Sequence, residues 1–303
     1  MAPTTKSVVI TGAASGIGAS CALHLDKLGF RVFAGVRRQA DAEALKSQAS
    51  PRLVPISLDV TDTVSISTAA SAVAGALGPA GLDGLVNNAG IVVPGPIEFL
   101  PLAELRRQLE VNVVGQVAVT QAFLPQLRAA RGRIVNMGSI SGRMAAPFVG
   151  AYAASKFALE GLTDALRVEV APWGIEVSII EPGAVATPLW GKTAKIAQGM
   201  LGAIPPEVFV LYGEALAAVQ KSAEHAERHA VAPEEVAKVV AQALTASKPR
   251  TRYVVGRLAK IQNALTLLVP DRVRDGLVAK TMRLPKDAPS TPPKAGEGAW
   301  GSG

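Results

Sequence analysis

Two residues four apart, Tyr152 and Lys156, carry the clearest acid–base chemistry in this sequence. If residues 151–169 form a helix, positions i and i+4 share a face and an ammonium stands beside a phenol. A free phenol has a pKa of about 10 and exchanges protons poorly at neutral pH. A neighbouring cation stabilises the phenolate, and reaching a pKa of about 7 takes roughly 4 kcal/mol of differential stabilisation. A phenol tuned in this way passes a proton to or from an alcohol oxygen. The spacing alone is a short motif, so its meaning depends on the elements that position it.

Those elements alternate along the chain. Residues 7–10 (SVVI) read as a buried strand and run directly into TGAASGIG, residues 11–18. Ile17, Cys21, Leu25 and Leu28 follow at helical spacing. Gly12, Gly16 and Gly18 thus lie in a strand–turn–helix, where backbone N–H groups and a helix N-terminus face a phosphate. A second strand spans 31–36, followed by Arg37 and Arg38, with no carboxylate before Asp41. An acidic residue near this point suits the ribose 2′-hydroxyl of NAD, and an arginine suits the 2′-phosphate of NADP. The reading is therefore NADP, with NAD possible; two arginines on a solvated loop are the plainer alternative.

A third strand, 53–58, ends at Asp59-Val60, and a helix over 61–77 is capped by Thr61 or Asp62. A fourth, 82–86, runs into Asn87-Asn88-Ala89-Gly90, polar turn residues at a strand end where ligands bind. Residues 102–131 read as one long helix, with Asn112 inside it and Gly115 nearby as local weaknesses. The remaining strands are expected at 133–137, 176–180 and 253–256. Seven strands alternating with helices predict an α/β fold, a doubly wound parallel sheet covered on both faces. The polar groups named above follow strands and converge on one crevice.

On these motifs the chain resembles the short-chain dehydrogenase/reductase family, main branch. The matching residues are Thr11–Gly18, Asp59-Val60, Asn87–Gly90, Asn112, IVNMGSISG at 134–142, YAASK at 152–156, and Pro182, Gly183 and Thr187. They stand in the family's order over about residues 5–190. Ser139 and Tyr152 are thirteen apart, the family's usual interval. Gly138 replaces the first of the family's two serines, so Ser139 takes the catalytic position ahead of Ser141. A weaker likeness to retinol and hydroxysteroid dehydrogenases comes from VFAGVRR (32–38) and the C-terminal extension.

The resemblance implies an NAD(P)-dependent alcohol dehydrogenase or ketoreductase on a single Rossmann domain over 1–257. It implies Tyr152 as general acid in ketone reduction and general base in alcohol oxidation. Lys156 lowers the phenol's pKa and bonds the nicotinamide ribose, Ser139 holds the substrate oxygen, and Asn112 holds a water linking Lys156 to solvent. Cofactor contacts are implied for Gly12, Ser15, Gly16, Ile17 and Gly18, and for Arg37. Asp59 and Val60 border the adenine; Asn88, Ala89 and Gly90 lie along the cofactor. Pro182, Gly183, Val185 and Thr187 meet its nicotinamide half. Retention of all four catalytic positions favours an enzyme over a dinucleotide-binding regulator. A homodimer or homotetramer through 102–131 and 151–171 is also implied.

Bulk properties narrow the class. The chain has 303 residues, 49% hydrophobic and 18% charged, with net charge +7. It has no block of five basic residues and few aromatics, which argues against nucleic acid. A single cysteine, Cys21, excludes an internal disulfide and a cysteine metal site. His24, His225 and His229 lack zinc-site spacing with a third ligand, so no metal is expected. The opening MAPTTKSVVI lacks a signal pattern and no run reaches the length of a membrane span, so the expectation is a cytoplasmic protein.

Residues 188–231 break the strand–helix rhythm. Trp190, Met200, Leu201, Phe209, Leu211 and Tyr212 fall here, on what the family uses as a substrate lid. Such a lining suits a lipophilic secondary alcohol or carbonyl, while each residue taken singly fits plain packing on the core equally well. Residues 258–284 form a helical extension with apolar and basic residues. Packing on the domain or on a second subunit is favoured there over contact with a membrane. Residues 285–303, rich in Pro, Gly and Ala, read as a disordered tail.

Overall fold

The computed structural model describes residues 5–201, 205 and 207–285. Of the tail expected at 285–303, all but Pro285 lies outside the described residues. The strands are β1 (Ser7–Ile10), β2 (Arg31–Val36), β3 (Leu53–Ser57), β4 (Gly84–Asn87), β5 (Arg133–Met137), β6 (Glu176–Pro182) and β7 (Arg252–Val255). They form one seven-stranded sheet in the order β3-β2-β1-β4-β5-β6-β7. Every pairing is parallel. The helices are α1 (Gly16–Lys27), α2 (Gln39–Lys46), α3 (Thr63–Leu77), α4 (Leu102–Leu109), α5 (Gly115–Ala130) and α6 (Gly150–Val170). They continue as α7 (Leu189–Leu201), α8 (Glu207–Arg228), α9 (Pro233–Thr245), α10 (Arg257–Leu268) and α11 (Asp271–Thr281).

Both faces of the sheet are covered, as the unbroken apolar runs of the strands require. On one face Cys21 and Leu25 of α1 and Val236, Val240 and Leu244 of α9 pack on Val8, Ile10 and Val86. On the other, Ile66 and Val73 of α3 and Phe123 and Leu127 of α5 pack on Val9, Leu85 and Ile134. The chain winds outward in opposite directions from β1 and β4, which pair with each other. Between their C-terminal ends lies the point where α/β folds of this type bind ligands.

The stretch expected as one helix over 102–131 is interrupted. Residues Glu110–Val114 form a wider π-helical turn between α4 and α5. Two contacts explain it. Asn112 bonds the backbone of Ile91 instead of facing solvent. At Gly115 a β-carbon would stand 2.6 Å from the carbonyl oxygen of Val60. The glycine expected as a weak point is therefore a required close approach. Other boundaries move by a residue or two. The cap of α3 is Asp62, which accepts from the N–H groups of Val64 and Ser65, and β6 runs on to Pro182.

Helices α7 and α8 occupy the region expected as a lid. Tyr212 of α8 donates to Glu98 at 2.6 Å and meets the rings of Phe99 and Phe148 edge-on. Trp190 donates to the Val185 carbonyl, so this residue of the expected lining anchors α7. Leu258, Ile261 and Leu268 of α10 and Val273 and Leu277 of α11 are exposed. Among the described residues no helix is long and apolar enough to cross a membrane.

Candidate active site

The glycine turn sits at the C-terminal end of β1. Gly12 and Gly16 have φ of +65° and +57°, a conformation that glycine adopts at no steric cost. A β-carbon on Gly12 would stand 2.9 Å from Ala89 Cα, and one on Gly18 would meet the Gly12 carbonyl. The turn is thus folded onto itself and onto the end of β4. Ser15 caps α1 without a side-chain bond, and the first turn carries no acidic residue. The N–H groups and positive end of α1 are therefore free of a competing side chain, and the turn fits the phosphates of a dinucleotide. Ile17 packs against the core beside Cys21.

Thr11 organises this corner, and the motif reading assigned it no role. Its hydroxyl accepts from the N–H groups of Asn88 and Ala89, both at 2.9 Å. The Asn88 amide donates to the carbonyls of Thr11 and Gly12 at 2.9 and 3.2 Å. Asn88 therefore fastens β4 to the glycine turn, and its role begins as an internal tie. Thr187 stands against Gly16, with its Cβ 3.0 Å from where a glycine β-carbon would be. Lys192 of α7 reaches Ser15 Oγ at 3.1 Å. Lys192 lies 177 positions from Ser15 and nothing in the sequence links them.

At the end of β2, Arg37 faces Asp59 across 3.8 Å. The Arg38 guanidinium is held by Asp41 in two bonds of 2.8 and 2.7 Å. Arg37 is thus the freer cation. It lines a cleft of about 320 Å³ with Ser57, Asp59, Ser65 and Thr68. Burial alone would raise the Asp59 carboxyl, but hydrogen bonds from Thr61 and the Arg37 guanidinium outweigh it and hold it low. Val60, next in sequence, is buried and presents its carbonyl toward Gly115. The Gly183 N–H donates to Val255, and Pro182 closes β6. Val185 is buried and bridges to Val231.

The acid–base residues gather beyond the end of β5. Ser139 is nearly buried and stands within hydrogen-bond reach of the Tyr152 phenol. Its hydroxyl also accepts from the Ser141 N–H at 3.1 Å. Lys156 is buried, donates to the Met137 carbonyl at 2.6 Å, and places Nζ 5.6 Å from the centre of the Tyr152 ring. Burial lowers the Lys156 ammonium to about 8, and Glu160 opposes that fall.

One expectation is corrected here. The phenol of Tyr152 is pushed above its ordinary value, not lowered by Lys156. Burial dominates, and the Ser139 hydrogen bond acts the other way.

Asn112 completes the cluster from the π-helical turn. Its Oδ1 accepts from the Ile91 N–H at 2.9 Å; its Nδ2 donates to the Ile91 carbonyl at 3.0 Å and to Ser155 Oγ at 3.1 Å. Gly90 lies against the same amide. A continuous line of contacts therefore runs from Gly12 through Ala89, Gly90 and Asn112 to Ser155, beside Lys156 on α6. The glycine turn and the acid–base helix are thus joined through the end of β4 and the π-helical turn.

A family model described as short chain dehydrogenase matches residues 6–197. Retinol dehydrogenase 5 of Mus musculus is 39% identical over 289 residues, which cover 93% of this chain and 90% of that protein. The NADPH-dependent 3-dehydrocapnine reductase of Ornithobacterium rhinotracheale is 36% identical over 284 residues, covering 92% and 98%. A solved short chain dehydrogenase from Burkholderia cenocepacia, in complex with NADP, aligns with a TM-score of 0.69 at 26% identity, covering 91% of this chain and 97% of that one. With a matching family model over most of its length and relatives at this identity, the chain belongs to the short-chain dehydrogenase family.

Proposed function

We propose that this protein is an NADP-dependent oxidoreductase that interconverts a lipophilic alcohol and its carbonyl form. One observation carries the reading. Ser139, Tyr152 and Lys156, from a strand end and a helix, form one nearly buried cluster, and contacts through Ala89, Gly90 and Asn112 join it to the glycine turn. NADP, when bound, supplies or takes the hydride. Gly12, Ser15, Gly16, Ile17 and Gly18 would receive its phosphates, and Arg37 its 2′-phosphate. Asp59 and Val60 would border the adenine, and Asn88, Ala89 and Gly90 the middle. Pro182, Gly183, Val185 and Thr187 would hold the nicotinamide half.

In carbonyl reduction the Tyr152 Oη–H donates its proton to the oxygen that becomes the alcohol. A phenol whose pKa is raised stays protonated at neutral pH and is ready for that donation. The Ser139 hydroxyl donates a hydrogen bond to the same oxygen as charge develops on it. Lys156, charged below about pH 8, stabilises the phenolate left behind. In alcohol oxidation the same groups act in reverse, so the oxidation rate rises with pH until Lys156 loses its proton. The name of the retinol-dehydrogenase relative and the apolar residues of α7 and α8 support a lipophilic substrate. The residues after β2 and the name of the NADPH-dependent relative support NADP.

The test is a panel of retinoids, steroids and acyl ketones followed through nicotinamide absorbance with wild type and Tyr152→Phe. Tyr152→Phe is expected to keep nucleotide binding and to lose turnover by roughly 10²–10⁴-fold, the usual worth of a general acid. Near-normal turnover in that variant would refute the reading.

A further inference from the structure

Four charged side chains lie behind Lys156, and the hydride chemistry uses none of them. Glu160 follows Lys156 by one turn of α6 and is 7% exposed; Glu181 of β6 is fully buried at 0%. Arg143 follows the turn that begins at Ser139, and Arg252 opens β7. Arg143 Nε donates to Glu181 Oε1 at 3.0 Å, and its Nη2 lies 3.8 Å from Glu160 Oε2. Arg252 Nε lies 3.2 Å from Glu160 Oε2 and 3.6 Å from Glu181 Oε1. Both guanidiniums therefore hold the same oxygen of each carboxylate. The other two oxygens, Glu160 Oε1 and Glu181 Oε2, are buried and meet no donor among the described residues. The two carboxyl groups stand within hydrogen-bond reach of each other. Carboxylates that close cannot both stay ionised without cost. A proton carried by the pair supplies a donor where none is present.

We propose that Glu160 and Glu181 form a proton-sharing acid pair that sets the charge felt by Lys156. Both are positioning residues, since neither reaches the Tyr152 phenol or the glycine turn. The proposal rests on the reading of Lys156 as the partner of Tyr152. The electrostatics of Lys156 and Glu160 agree, one turn apart on the same face of α6. Burial and the Glu181 carboxylate push the Glu160 carboxyl up to about 7, with Arg143 and Arg252 opposing. Glu160 in turn opposes the loss of the Lys156 proton. Below about pH 7 the pair keeps its proton and one net negative charge. Above it the proton leaves to solvent, and the second negative charge holds Lys156 protonated as the medium becomes alkaline.

The neighbouring charges are few. Asp164, also on α6, takes Arg252 Nη2 at 2.6 Å and Arg167 at 2.7 Å. Among the described residues no further cation pairs with either glutamate. The pair is also mechanically close to the site. At Gly142 a β-carbon would stand 3.0 Å from the Lys156 carbonyl and 3.3 Å from Glu160 Cγ. The turn that begins at Ser139 thus rests directly on this part of α6.

The experiment pairs infrared spectroscopy with pH–rate profiles on wild type, Glu160→Gln, Glu160→Asp and Tyr152→Phe. A protonated-carboxyl band is expected in wild type and Tyr152→Phe, titrating at about pH 7 and absent in Glu160→Gln. The kcat profile of Glu160→Gln is expected to move to lower pH by about one unit, because a negative charge near Lys156 is gone. Glu160→Asp is expected to restore most of that shift. Absence of the band in wild type overturns the proposal even if Glu160→Gln does not fold. A fall in kcat with an unmoved profile also overturns it, since a purely structural glutamate would behave that way. Full turnover in Tyr152→Phe would instead strike the proposed function, and the infrared result is independent of it.

Discussion

At the scale of single residues, the site trades stability for chemistry. Lys156 is buried, and its ammonium is drawn down to about 8 from an ordinary 10.5. A lysine whose folded pKa lies below its unfolded one weakens the fold wherever the unfolded chain holds the extra proton. The full penalty applies below about pH 8 and fades toward pH 10.5. It amounts to about 3 kcal/mol. Loss of the bond to Met137 offsets about 1 kcal/mol of that. Lys156→Met is therefore expected to be more stable than wild type at pH 7 by about 2 kcal/mol, with turnover lost. Thermal melts at pH 7 and pH 10 check both the gain and its decline. Arg37 gives a second prediction. Its neighbour Arg38 is held by Asp41 through Nε and Nη2, so the reading of NADP depends first on Arg37. Arg37→Ala is expected to lower kcat/KM with NADPH about tenfold or more, the worth of one charge-assisted contact, and to leave NADH little changed. An equal loss with both cofactors would count against that role.

At the scale of elements, the informative place is the break between α4 and α5. A run of helix-forming residues predicts a continuous helix over 102–131, and the local signals at Asn112 and Gly115 read as weakness. The structure gives them positive roles, because the helix passes against two other loops. Asn112 closes the backbone of Ile91, and Gly115 lets the helix approach Val60. Sequence reasoning shows that such residues are unusual in a helix; only the packed partner shows why. Gly115→Ala drives a methyl group to 2.6 Å from the Val60 carbonyl. It is expected to destabilise the protein by about 1–3 kcal/mol, the usual cost of overpacking, although alanine favours helices. Chemical denaturation measures the change, and a gain in stability would contradict the close approach. Thr11 and Lys192 illustrate a different limit. A threonine in a glycine turn and a lysine in a distant helix carry no local signal, and each acquires its partners only on folding.

At the scale of the whole molecule, the outer side of α6 leaves Phe157 and Val168 exposed at 47% and 70%. They are eleven residues apart, three turns of helix, and lie on the same face. A homodimer or homotetramer built on α5 and α6 would cover them. Light scattering is expected to give a multiple of 31.2 kDa, and Val168→Asp to shift the mass toward one chain. A wild-type mass of one chain would remove this prediction. The sequence by itself determined the strand–helix alternation, because buried parallel strands must be continuous apolar runs and surface helices must be periodic. It also determined the glycine turn and the Tyr152–Lys156 spacing, since both are local and stereochemical. Tertiary structure alone decided the electrostatics of that pair. Whether a lysine lowers a phenol's pKa depends on how near its ammonium stands and how dry the site is. Here Lys156 bonds Met137, burial raises the phenol, and Glu160 of α6 and Glu181 of β6 are brought together by the packing of that helix on the sheet. Distances between such groups are fixed by folding, and pKa values follow distance and burial, not order along the chain.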